Sequence, residues 1–359
     1  MEKALIAMSG GVDSSVAAYL TQKAGYDCIG ATMKLYDNEQ AGITPGHTCC
    51  SEDDVEDARH AAMKLGMPYY VFNFKDDFNE KVIKKFVRSY EMGYTPNPCI
   101  DCNRYLKFGG LFRRAKELYC SFVVTGHYAS IEKKDGRYLL KKSRNLAKDQ
   151  SYVLYSLTQD ELSHVLFPLG DMADKEEVRA VAASLGFVNA DKPDSQDICF
   201  VPDGDYASAI ERFSGKTYPA GNYIDTEGNI LGPHKGIIHY TIGQRRGLGI
   251  ALGKHMYVCD KDPVNNTVTL GDVEDLLRTE ILVQDFNWIM YDIPPEKIHA
   301  SVKIRYNQKT DYVCTAYPDK DDKTAVRIIF DEPQKAPAKG QAAVVYSGDY
   351  VVGGGTIAG

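Results

Sequence analysis

The chain has 359 residues, of which 44% are hydrophobic and 25% charged, and its formal net charge is −7. That length predicts two or three domains with sizeable cores, and the composition is that of a folded globular protein rather than a disordered or fibrous one. No apolar run approaches the roughly 18 residues that a membrane span needs, and the N-terminus lacks a signal-peptide pattern, so we expect a cytoplasmic protein with no membrane partner.

The first half of the sequence alternates short apolar runs with stretches of helical periodicity. The run ALIAM at residues 4–8 predicts a buried strand, and the helical pattern behind it ends at Gly25. Further strands are predicted at CIGATMKL, YYVFNF and FVVTGH, with helices between them that include residues 77–92 and 103–118. Such alternation predicts an α/β fold, in which helices cover both faces of a parallel sheet.

The second half changes from a helical to a strand-like texture. A hairpin is predicted to turn at Asp135-Gly136, and a helix over 174–185 follows it. Beyond about residue 215, glycine and proline become frequent and strand-like pieces such as MYVCD and TAVRIIF dominate, which is typical of β-sheet or small-barrel domains. We therefore predict an α/β domain at 1–205, a small β-rich domain at 206–277 and a β-barrel domain at 278–359.

One segment carries a local positive charge in an otherwise acidic chain. Residues 133–148 contain seven basic side chains against the single acid Asp135. The basic residues are Lys133, Lys134, Arg137, Lys141, Lys142, Arg144 and Lys148. A run of this kind is either a solvated face or a surface for nucleic-acid phosphates, and composition alone favours the solvated face.

The sequence SGGVDS, residues 9–14, lies between the first predicted strand and the first helix. Its two glycines let backbone N–H groups point into a concavity, and the helix N-terminus behind them adds partial positive charge. The pattern is neither the G-x-G-x-x-G dinucleotide fingerprint nor the Walker loop. It predicts a phosphate site, although Asp13 or Ser14 acting as simple helix caps would use the same residue types.

The chain contains nine cysteines, and in a reducing compartment each is either a buried apolar filler or a thiol used in chemistry. The pair in NPCIDCN lacks a second C-x-x-C to complete a zinc site. Cys49 and Cys50 beside His47 offer further donors, but adjacent cysteines rarely reach one metal together. Zinc is therefore a minority interpretation. A thioredoxin-like redox pair would lie at the first helix of a small redox domain, and the segment around NPCIDCN is not such a domain.

Two cysteines are candidates for chemistry. Cys102 lies near the start of the predicted helix 103–118, whose dipole, with Arg104 and Lys107 nearby, would favour the thiolate form. Cys199 lies in DSQDICFV, a context that by itself indicates a buried filler more often than a nucleophile.

SGGVDS resembles the PP-loop of the N-type ATP pyrophosphatases, which split ATP into AMP and pyrophosphate to adenylate an oxygen of a second substrate. The stretches TPNPC, CNRYLKFG, TGHYA, KDQSYVLY, DSQDICFV, YTIGQRRGLGI, KIRY and GQAAVVY follow it in order along the whole chain. On these motifs together the chain resembles the bacterial tRNA-specific 2-thiouridylase family. The resemblance implies a PP-loop catalytic domain ahead of the two β domains.

The resemblance implies an ATP-dependent sulfurtransferase. ATP, with magnesium, would adenylate the C2 oxygen of the wobble uridine in tRNAs for lysine, glutamate and glutamine, and sulfur would then displace AMP. Cys199 would carry a persulfide sulfur supplied by a cysteine desulfurase or a relay protein. Cys102 would be the nucleophile that helps to release it, through a transient Cys102–Cys199 disulfide. Because a disulfide needs Cα atoms within roughly 7 Å, the two loops must then approach each other.

The resemblance also implies binding residues. Asn97, Pro98 and Cys99 would face the target base. ATP contacts are expected at Ala7, Met8, Ser9, Gly10, Gly11, Val12, Asp13, Ser14, Met33 and Gly126, although spacing alone would place Met33 in the core. tRNA contacts are expected at His127, Lys148, Asp149, Gln150, Arg305, Tyr306 and Gln341, and the basic segment 133–148 then fits the RNA backbone.

At Cys99 the chain departs from the family pattern, since many members carry Asp there. That carboxylate is the candidate acid or base, and Asp101 is the near carboxylate that remains. One hypothesis is that Asp101 substitutes for it. Another is that Cys99, Cys102 and Cys199 form a three-thiol set able to hold an iron–sulfur cluster, and a spare thiol at Cys99 is at least as compatible with the sequence.

Two rival functions stay open on the sequence. Another PP-loop enzyme, one that forms a C–N bond, would need neither thiol. A non-catalytic tRNA-binding protein would keep the nucleotide fold without consuming ATP. The intact SGGVDS favours a catalytic function.

Overall fold

A computed structural model describes residues 1–36, 52–193, 198–251 and 253–359. The described chain divides into two compact units. The first comprises Met1–Val82, Pro98–Gly204 and Asp349–Val351, and the second comprises Ile83–Asn97, Asp205–Gly348 and Val352–Gly359. The predicted three-domain boundaries stay a prediction, and His47, Cys49 and Cys50 lie outside the described residues.

The first unit is built on a parallel sheet. The strands of this sheet are β1 (Lys3–Ala7), β2 (Asp27–Lys34), β3 (Tyr69–Asn73), β4 (Phe122–Val124) and β7 (Val165–Leu166). A hairpin between β4 and β7 consists of β5 (Ala129–Lys134) and β6 (Arg137–Lys142). Within the described residues the parallel strands run in the order β3-β2-β1-β4-β7. Ala4, Leu5 and Ile6 of the central β1 are fully buried, as a sheet covered on both faces requires. The predicted α/β fold is confirmed.

Helices cover this sheet. They are Val12–Lys23, Glu52–Lys64, Lys75–Phe78, Pro98–Asp101, Leu111–Glu117, Gln159–Ser163 and Lys175–Ser184. The predicted helix over 174–185 is confirmed: the Asp174 side chain accepts a hydrogen bond from Glu177 N, and Gly186 follows the helix with a φ of 62°.

Helices are present over most of the predicted ranges 77–92 and 103–118, but part of each is π-helical. Wider π-helical turns occupy Asn79–Ile83 and Cys102–Gly110, and regular helix resumes only at Lys84 and Leu111. A π turn changes the side-chain phase without changing residue type, so periodicity does not reveal it. The second of these helical segments also begins earlier than predicted, at Pro98.

The basic hairpin is confirmed. β5 and β6 pair in antiparallel register, Lys134 opposite Arg137, around Asp135 and Gly136. Both turn residues have positive φ, 49° and 80°, which is the backbone that a two-residue turn between twisted strands needs.

The second unit is mostly β. It contains helices Lys84–Glu91 and Tyr206–Ser214 and the strands β8 (Gly221–Ile224), β9 (Ile230–His234), β10 (Tyr257–Asp262), β11 (Thr267–Gly271), β12 (Leu277–Trp288), β13 (Ile298–Lys303), β14 (Tyr312–Pro318), β15 (Val326–Lys335), β16 (Ala342–Ser347) and β17 (Tyr350–Ile357). In the described chain, β10-β11-β8-β9 form one sheet. Strands β12-β15-β14-β13-β16-β17 form another, which the β12–β17 pairing closes into a barrel. The predicted β-rich region and C-terminal barrel are confirmed.

The barrel interior is apolar. Val283, Val302, Val326, Ile328 and Val345 are fully buried in it. None of the helices in the described part of the chain is long and apolar enough to cross a lipid bilayer.

Candidate active site

The SGGVDS loop connects the carboxyl end of β1 to the helix Val12–Lys23. Gly10 adopts a φ of +78°, and a Cβ there would clash with the carbonyl oxygen of Asp54. Ser9 N donates to Ser14 Oγ (3.2 Å), and Ser14 Oγ donates to the Gly11 carbonyl (2.8 Å). No side chain caps the helix at its N-cap residue, Gly11, in the described structure. The N-terminal amides and the helix dipole are therefore available to an anion.

The Asp13 carboxylate is held by residues from other elements. Lys175 Nζ donates to both of its oxygens at 2.7 Å, and the Tyr128 hydroxyl donates to Oδ1 at 2.7 Å. Lys175 is only 9% exposed. A Cβ on Gly126 would lie 2.8 Å from the Asp13 carbonyl carbon, so the segment after β4 packs directly on the loop.

Asn189 supports the same loop from a distant part of the sequence. Its Nδ2 donates to the Gly10 carbonyl (2.8 Å) and to Ser15 Oγ (3.0 Å), while its buried Oδ1 has no hydrogen-bond partner among the described residues. Lys175, Tyr128 and Asn189 were not predicted as supports of the loop, because no motif spacing relates them to SGGVDS. An isolated polar residue at an otherwise apolar position would have been the only signal.

Met33 and Gly126 lie where the sequence predicted, at the carboxyl edge of the parallel sheet. Met33 is the next-to-last residue of β2 and is half-buried, and Gly126 follows β4 by two residues. Open α/β sheets bind ligands at this edge. Their contact with ATP stays a prediction.

The NPCIDCN segment forms a short helix, Pro98–Asp101, that continues into the π-helical turn. Cys99 is exposed, Cys102 is half-buried and Asp101 is only 7% exposed. Because the helix begins at Pro98, Cys102 is its fifth residue and lies beyond the first turn, where a helix dipole acts most strongly. The predicted dipole effect on Cys102 is therefore weaker than expected.

Arg104 and Asp101 form part of the polar surroundings of Cys102. Burial lowers the pKa of the Arg104 guanidinium, but Tyr155, Tyr105 and the charge of Asp101 raise it above its ordinary value. Arg104 therefore stays charged. The burial of Asp101 limits its access to a substrate.

Cys199 lies in a turn in which Val201 N donates to the Ile198 carbonyl at 2.8 Å. Its side chain is half-buried. The Tyr36 hydroxyl donates to the Cys199 carbonyl at 2.9 Å. Asp194–Asp197, the first half of the DSQDICFV motif, lie outside the described residues.

Four other described cysteines, Cys28, Cys120, Cys259 and Cys314, have thiols of raised pKa. Burial raises the pKa of the Cys28 and Cys259 thiols to about 11 and that of Cys314 to about 12. Burial also raises the pKa of Cys120. These four thiols stay protonated near neutral pH, when they are poor nucleophiles.

His127 was predicted to contact tRNA, but it is 7% exposed and packs against Phe108 and Phe167. Its Nδ1 hydrogen-bonds Thr125 Oγ1 at 2.7 Å, and its Nε2 lies 3.3 Å from Lys107 Nζ. Burial, and next the charge of Lys107, hold the pKa of His127 well below its ordinary value of 6.5. The imidazole is therefore neutral at physiological pH.

Of the residues predicted to contact tRNA at 148–150, one is exposed and the side chains of the other two form hydrogen bonds within the protein. Lys148 is exposed. Asp149 is buried and accepts hydrogen bonds from Ser143 N (3.0 Å) and Ser151 Oγ (2.7 Å). Gln150 Oε1 accepts from Tyr128 N at 2.9 Å. These two side chains hold the base of the hairpin to the segment that follows β4.

The remaining predicted tRNA contacts lie in the second unit. Arg305 and Tyr306 are exposed, and an Arg305 N–H donates to the Lys335 carbonyl at 2.8 Å. Gln341 Nε2 donates to the Thr95 carbonyl at 2.9 Å, while Thr95 N donates to the Lys339 carbonyl. Gln341 thus holds the loop that leads into Asn97.

A metal centre is not assembled by the residues that the structure describes. No three His, Cys, Asp or Glu side chains among residues 1–36, 52–193, 198–251 and 253–359 group as metal ligands. Cys99, Cys102 and Cys199 therefore do not fit an iron–sulfur cluster in this arrangement.

Together these features are those of a class of α/β enzymes with a loop suited to phosphate after the first strand, followed in sequence by β domains. Three family models match in succession, the tRNA methyl transferase HUP domain at residues 2–203, the tRNA methyl transferase PRC-barrel domain at 209–272 and the aminomethyltransferase beta-barrel domain at 278–357.

Curated relatives match the chain from end to end. The tRNA-specific 2-thiouridylase MnmA of Clostridioides difficile is 51% identical over 99% of this chain and 98% of its own. The enzymes of the same name from Acetivibrio thermocellus and Clostridium acetobutylicum are 50% and 47% identical, each over 99% of both chains. The chain belongs to the tRNA-specific 2-thiouridylase family.

The solved structures that match the chain are more distant. A 4-thiouridine synthetase in complex with RNA and ATP is 22% identical, with a TM-score of 0.38 over 60% of this chain and 50% of its own. NMN synthetase from Francisella tularensis is 17% identical, with a TM-score of 0.34 over 60% of this chain and 78% of its own.

Proposed function

We propose that this chain catalyses the ATP-dependent 2-thiolation of a uridine in tRNA, the wobble uridine of the tRNAs for lysine, glutamate and glutamine. The observation that carries the proposal is the phosphate loop, whose uncapped helix N-terminus and braced Asp13 suit the phosphates of ATP, in a chain about half identical to 2-thiouridylases along its length. The reaction is inferred from the family, and the phosphate loop is suited to its first step, in which ATP reacts.

The first step is adenylation. The uridine C2 oxygen attacks the α-phosphorus of ATP, a P–O bond breaks, and pyrophosphate leaves while the helix amides of the phosphate loop stabilise its charge. The ATP phosphates and water would supply most ligands of a magnesium ion, which would offset the charge of the leaving pyrophosphate. The Asp13 carboxylate is already engaged by Lys175 and Tyr128, and its task is to hold the loop.

The second step transfers sulfur. The terminal sulfur of a Cys199 persulfide attacks C2, and AMP leaves. The Cys102 thiolate then attacks Cys199 Sγ, the S–S bond to the transferred sulfur breaks, and 2-thiouridine is released with a Cys102–Cys199 disulfide. The two electrons that reduce the persulfide sulfur come from Cys102, and an external dithiol returns the disulfide to two thiols. A cysteine desulfurase or a relay protein reloads Cys199.

Exposed residues of each unit are proposed to contact tRNA. In the first unit, Lys133, Lys134 and Lys148 are exposed and fit RNA phosphates. In the second unit, the basic Arg305 and the uncharged Tyr306 are exposed. His127, Asp149 and Gln341 act on tRNA indirectly, by holding the segments around them.

The test is a pair of substitutions, Cys102→Ser and Cys199→Ser. Both variants should form pyrophosphate from ATP and tRNA but yield no 2-thiouridine, measured by mass spectrometry of digested tRNA. A C–N bond-forming enzyme would keep its activity without either thiol, and a non-catalytic RNA-binding protein would release no pyrophosphate. Either result would refute the proposal.

Cys99 needs a separate test, since it replaces an acid common in the family. We expect protein purified without oxygen to be iron-free, colourless and active, because the described residues do not gather three cluster ligands. Iron analysis and absorption spectroscopy measure this, with Cys99→Ser as the matched variant. Bound iron that Cys99→Ser removes together with activity would contradict it.

A further inference from the structure

Tyr36 leaves the sheet at the same edge as the phosphate loop. β1 and β2 are parallel neighbours, with Ala7 opposite Ala31, so both strands end on the same side of the sheet. β1 continues into the phosphate loop, and β2 ends two residues before Tyr36. A group held by Tyr36 is therefore held at the carboxyl edge, where the nucleotide binds.

The Tyr36 hydroxyl holds the main chain of Cys199. It donates to the Cys199 carbonyl at 2.9 Å, and Tyr36 is only 4% exposed. The two residues are 163 positions apart in sequence, so this hydrogen bond is a tertiary one. It acts on the cysteine that is proposed to carry the sulfur.

A cluster of aromatic rings fixes the residue that follows Cys199. The Tyr36 and Phe78 rings lie 5.8 Å apart, and Phe78 meets Phe200 edge to face at 5.6 Å. Phe200 and Val201 are almost fully buried. The residues after Cys199 are thus set in the core, while the Cys199 side chain stays partly accessible.

Two residues that precede Cys199 in sequence, Asn189 and Lys192, are fixed as well. Asn189 donates to the phosphate loop at Gly10, and Lys192 Nζ pairs with Asp54 and Asp57 at 2.6 Å each. Fixed points therefore lie before and after Cys199 in sequence, and the Tyr36 hydroxyl fixes the Cys199 carbonyl itself.

We propose that Tyr36 is a positioning residue for sulfur transfer, which orients the turn that carries Cys199 toward the nucleotide edge of the sheet. The inference rests on the proposed function, in which Cys199 carries the persulfide. Orienting a nucleophile accelerates the step that uses it and leaves an earlier step unchanged. Adenylation does not use the Cys199 thiol, so only the sulfur step depends on the hydrogen bond from Tyr36.

The experiment compares Tyr36→Phe with Tyr69→Phe. Tyr69 is the matched control, because its hydroxyl also donates to a main-chain carbonyl of the first unit, that of Val55 at 3.2 Å. Each variant is loaded with persulfide using cysteine and a cysteine desulfurase and mixed with ATP and tRNA. Pyrophosphate reports adenylation, and 2-thiouridine reports sulfur transfer.

Tyr36→Phe should form pyrophosphate within about twofold of the wild-type rate and 2-thiouridine about fivefold to tenfold more slowly, the effect of losing one orienting hydrogen bond. The Tyr69 hydroxyl also bonds Thr32 Oγ1, which donates to the Met8 carbonyl, so Tyr69→Phe should not slow 2-thiouridine formation more than pyrophosphate formation. Equal slowing of both steps by Tyr36→Phe, no slowing at all, or the same selective loss in Tyr69→Phe would each overturn the inference.

A second variant and a separate control keep the outcomes distinct. If Tyr36→Phe does not fold, Phe78→Leu, which loosens the ring behind Tyr36, should show the same selective loss, and its absence would overturn the inference. Production of 2-thiouridine by Cys199→Ser would instead refute the proposed function, whatever Tyr36 does.

Discussion

Asp13 lies in the first turn of a helix, yet its carboxylate binds side chains that are more than a hundred residues away. Such bonds make the shape of the phosphate loop depend on the whole first unit. A charge-assisted hydrogen bond in a largely buried place contributes more than an exposed pair does.

Lys175→Met tests this bracing. The change removes both 2.7 Å hydrogen bonds from Lys175 and leaves Asp13 with Tyr128 alone. We expect the free energy of unfolding to fall by about 1–3 kcal/mol and pyrophosphate formation to slow. Denaturant unfolding and a pyrophosphate assay measure the two effects.

Lys254→Met is the control for that experiment. Lys254 pairs with Asp272 at 2.9 Å, but both side chains are more than half exposed. Its loss should change neither stability nor activity measurably. Equal effects of the two substitutions would show that burial of the Lys175 pair does not matter.

His127 gives a pH prediction. Its pKa in the folded protein lies well below 6.5, so below about pH 6.5 the unfolded chain takes up a proton that the folded protein does not. The unfolded state then binds more protons, and stability falls as the pH drops. The His127→Gln variant has no group at this position that takes up a proton on unfolding. The wild type should therefore lose stability relative to the variant as the pH falls from about 7.5 to 5. Parallel stability curves for the two proteins would contradict the prediction.

At the level of elements, the phosphate loop depends on a glycine that meets another element. Gly10→Ala places a methyl group against the Asp54 carbonyl, whereas Gly25→Ala, also at positive φ, meets nothing within 4 Å. Both variants should lose about 1–2 kcal/mol from backbone strain. Only Gly10→Ala should also lose ATP-dependent pyrophosphate formation. Comparable activity in the two variants would show that the close approach to Asp54 is unimportant.

Periodicity predicted the elements well where one residue period runs through them. β1, the basic hairpin and the helix 175–184 were predicted because alternation, turn residues and caps are local properties. The π-helical turn at 102–110 and the early helix start at Pro98 were not predicted. Both depend on how the segment packs, as at Gly110, where an added Cβ would clash with the Phe74 ring.

At the level of the whole molecule, an acidic protein is proposed to bind an acidic partner. The net charge is −7, but the basic hairpin region concentrates positive charge on one part of the first unit. Phosphates respond to local charge, because salt screens charges beyond about 10 Å. Local charge can therefore outweigh the net charge.

A triple variant, Lys133→Gln, Lys134→Gln and Lys148→Gln, tests that surface. We expect tRNA affinity to fall and the dependence of log Kd on log salt to weaken by about 2, since each lost phosphate contact removes about 0.7–0.9 from the slope. Binding titrations over a range of salt concentrations measure it.

The control removes the same charge elsewhere. Lys297, Lys320 and Lys323 are exposed on the barrel domain, and changing all three to Gln should leave the salt slope nearly unchanged. If both triple variants shift the slope alike, binding follows net charge rather than the hairpin.

The α/β and β architecture, the phosphate loop, the basic hairpin and the two candidate thiols follow from the sequence alone, because each is encoded in neighbouring residues. The folded chain was needed to show that Lys175, Tyr128 and Asn189 support the loop, that His127 and Asp149 are buried, and that Tyr36 holds Cys199. The hydrogen bonds of Lys175, Tyr128 and Asn189 to the loop, and of Tyr36 to Cys199, join residues 115 to 179 positions apart. No local period or spacing encodes them, since they form only when the parallel sheet brings the ends of its strands to one edge.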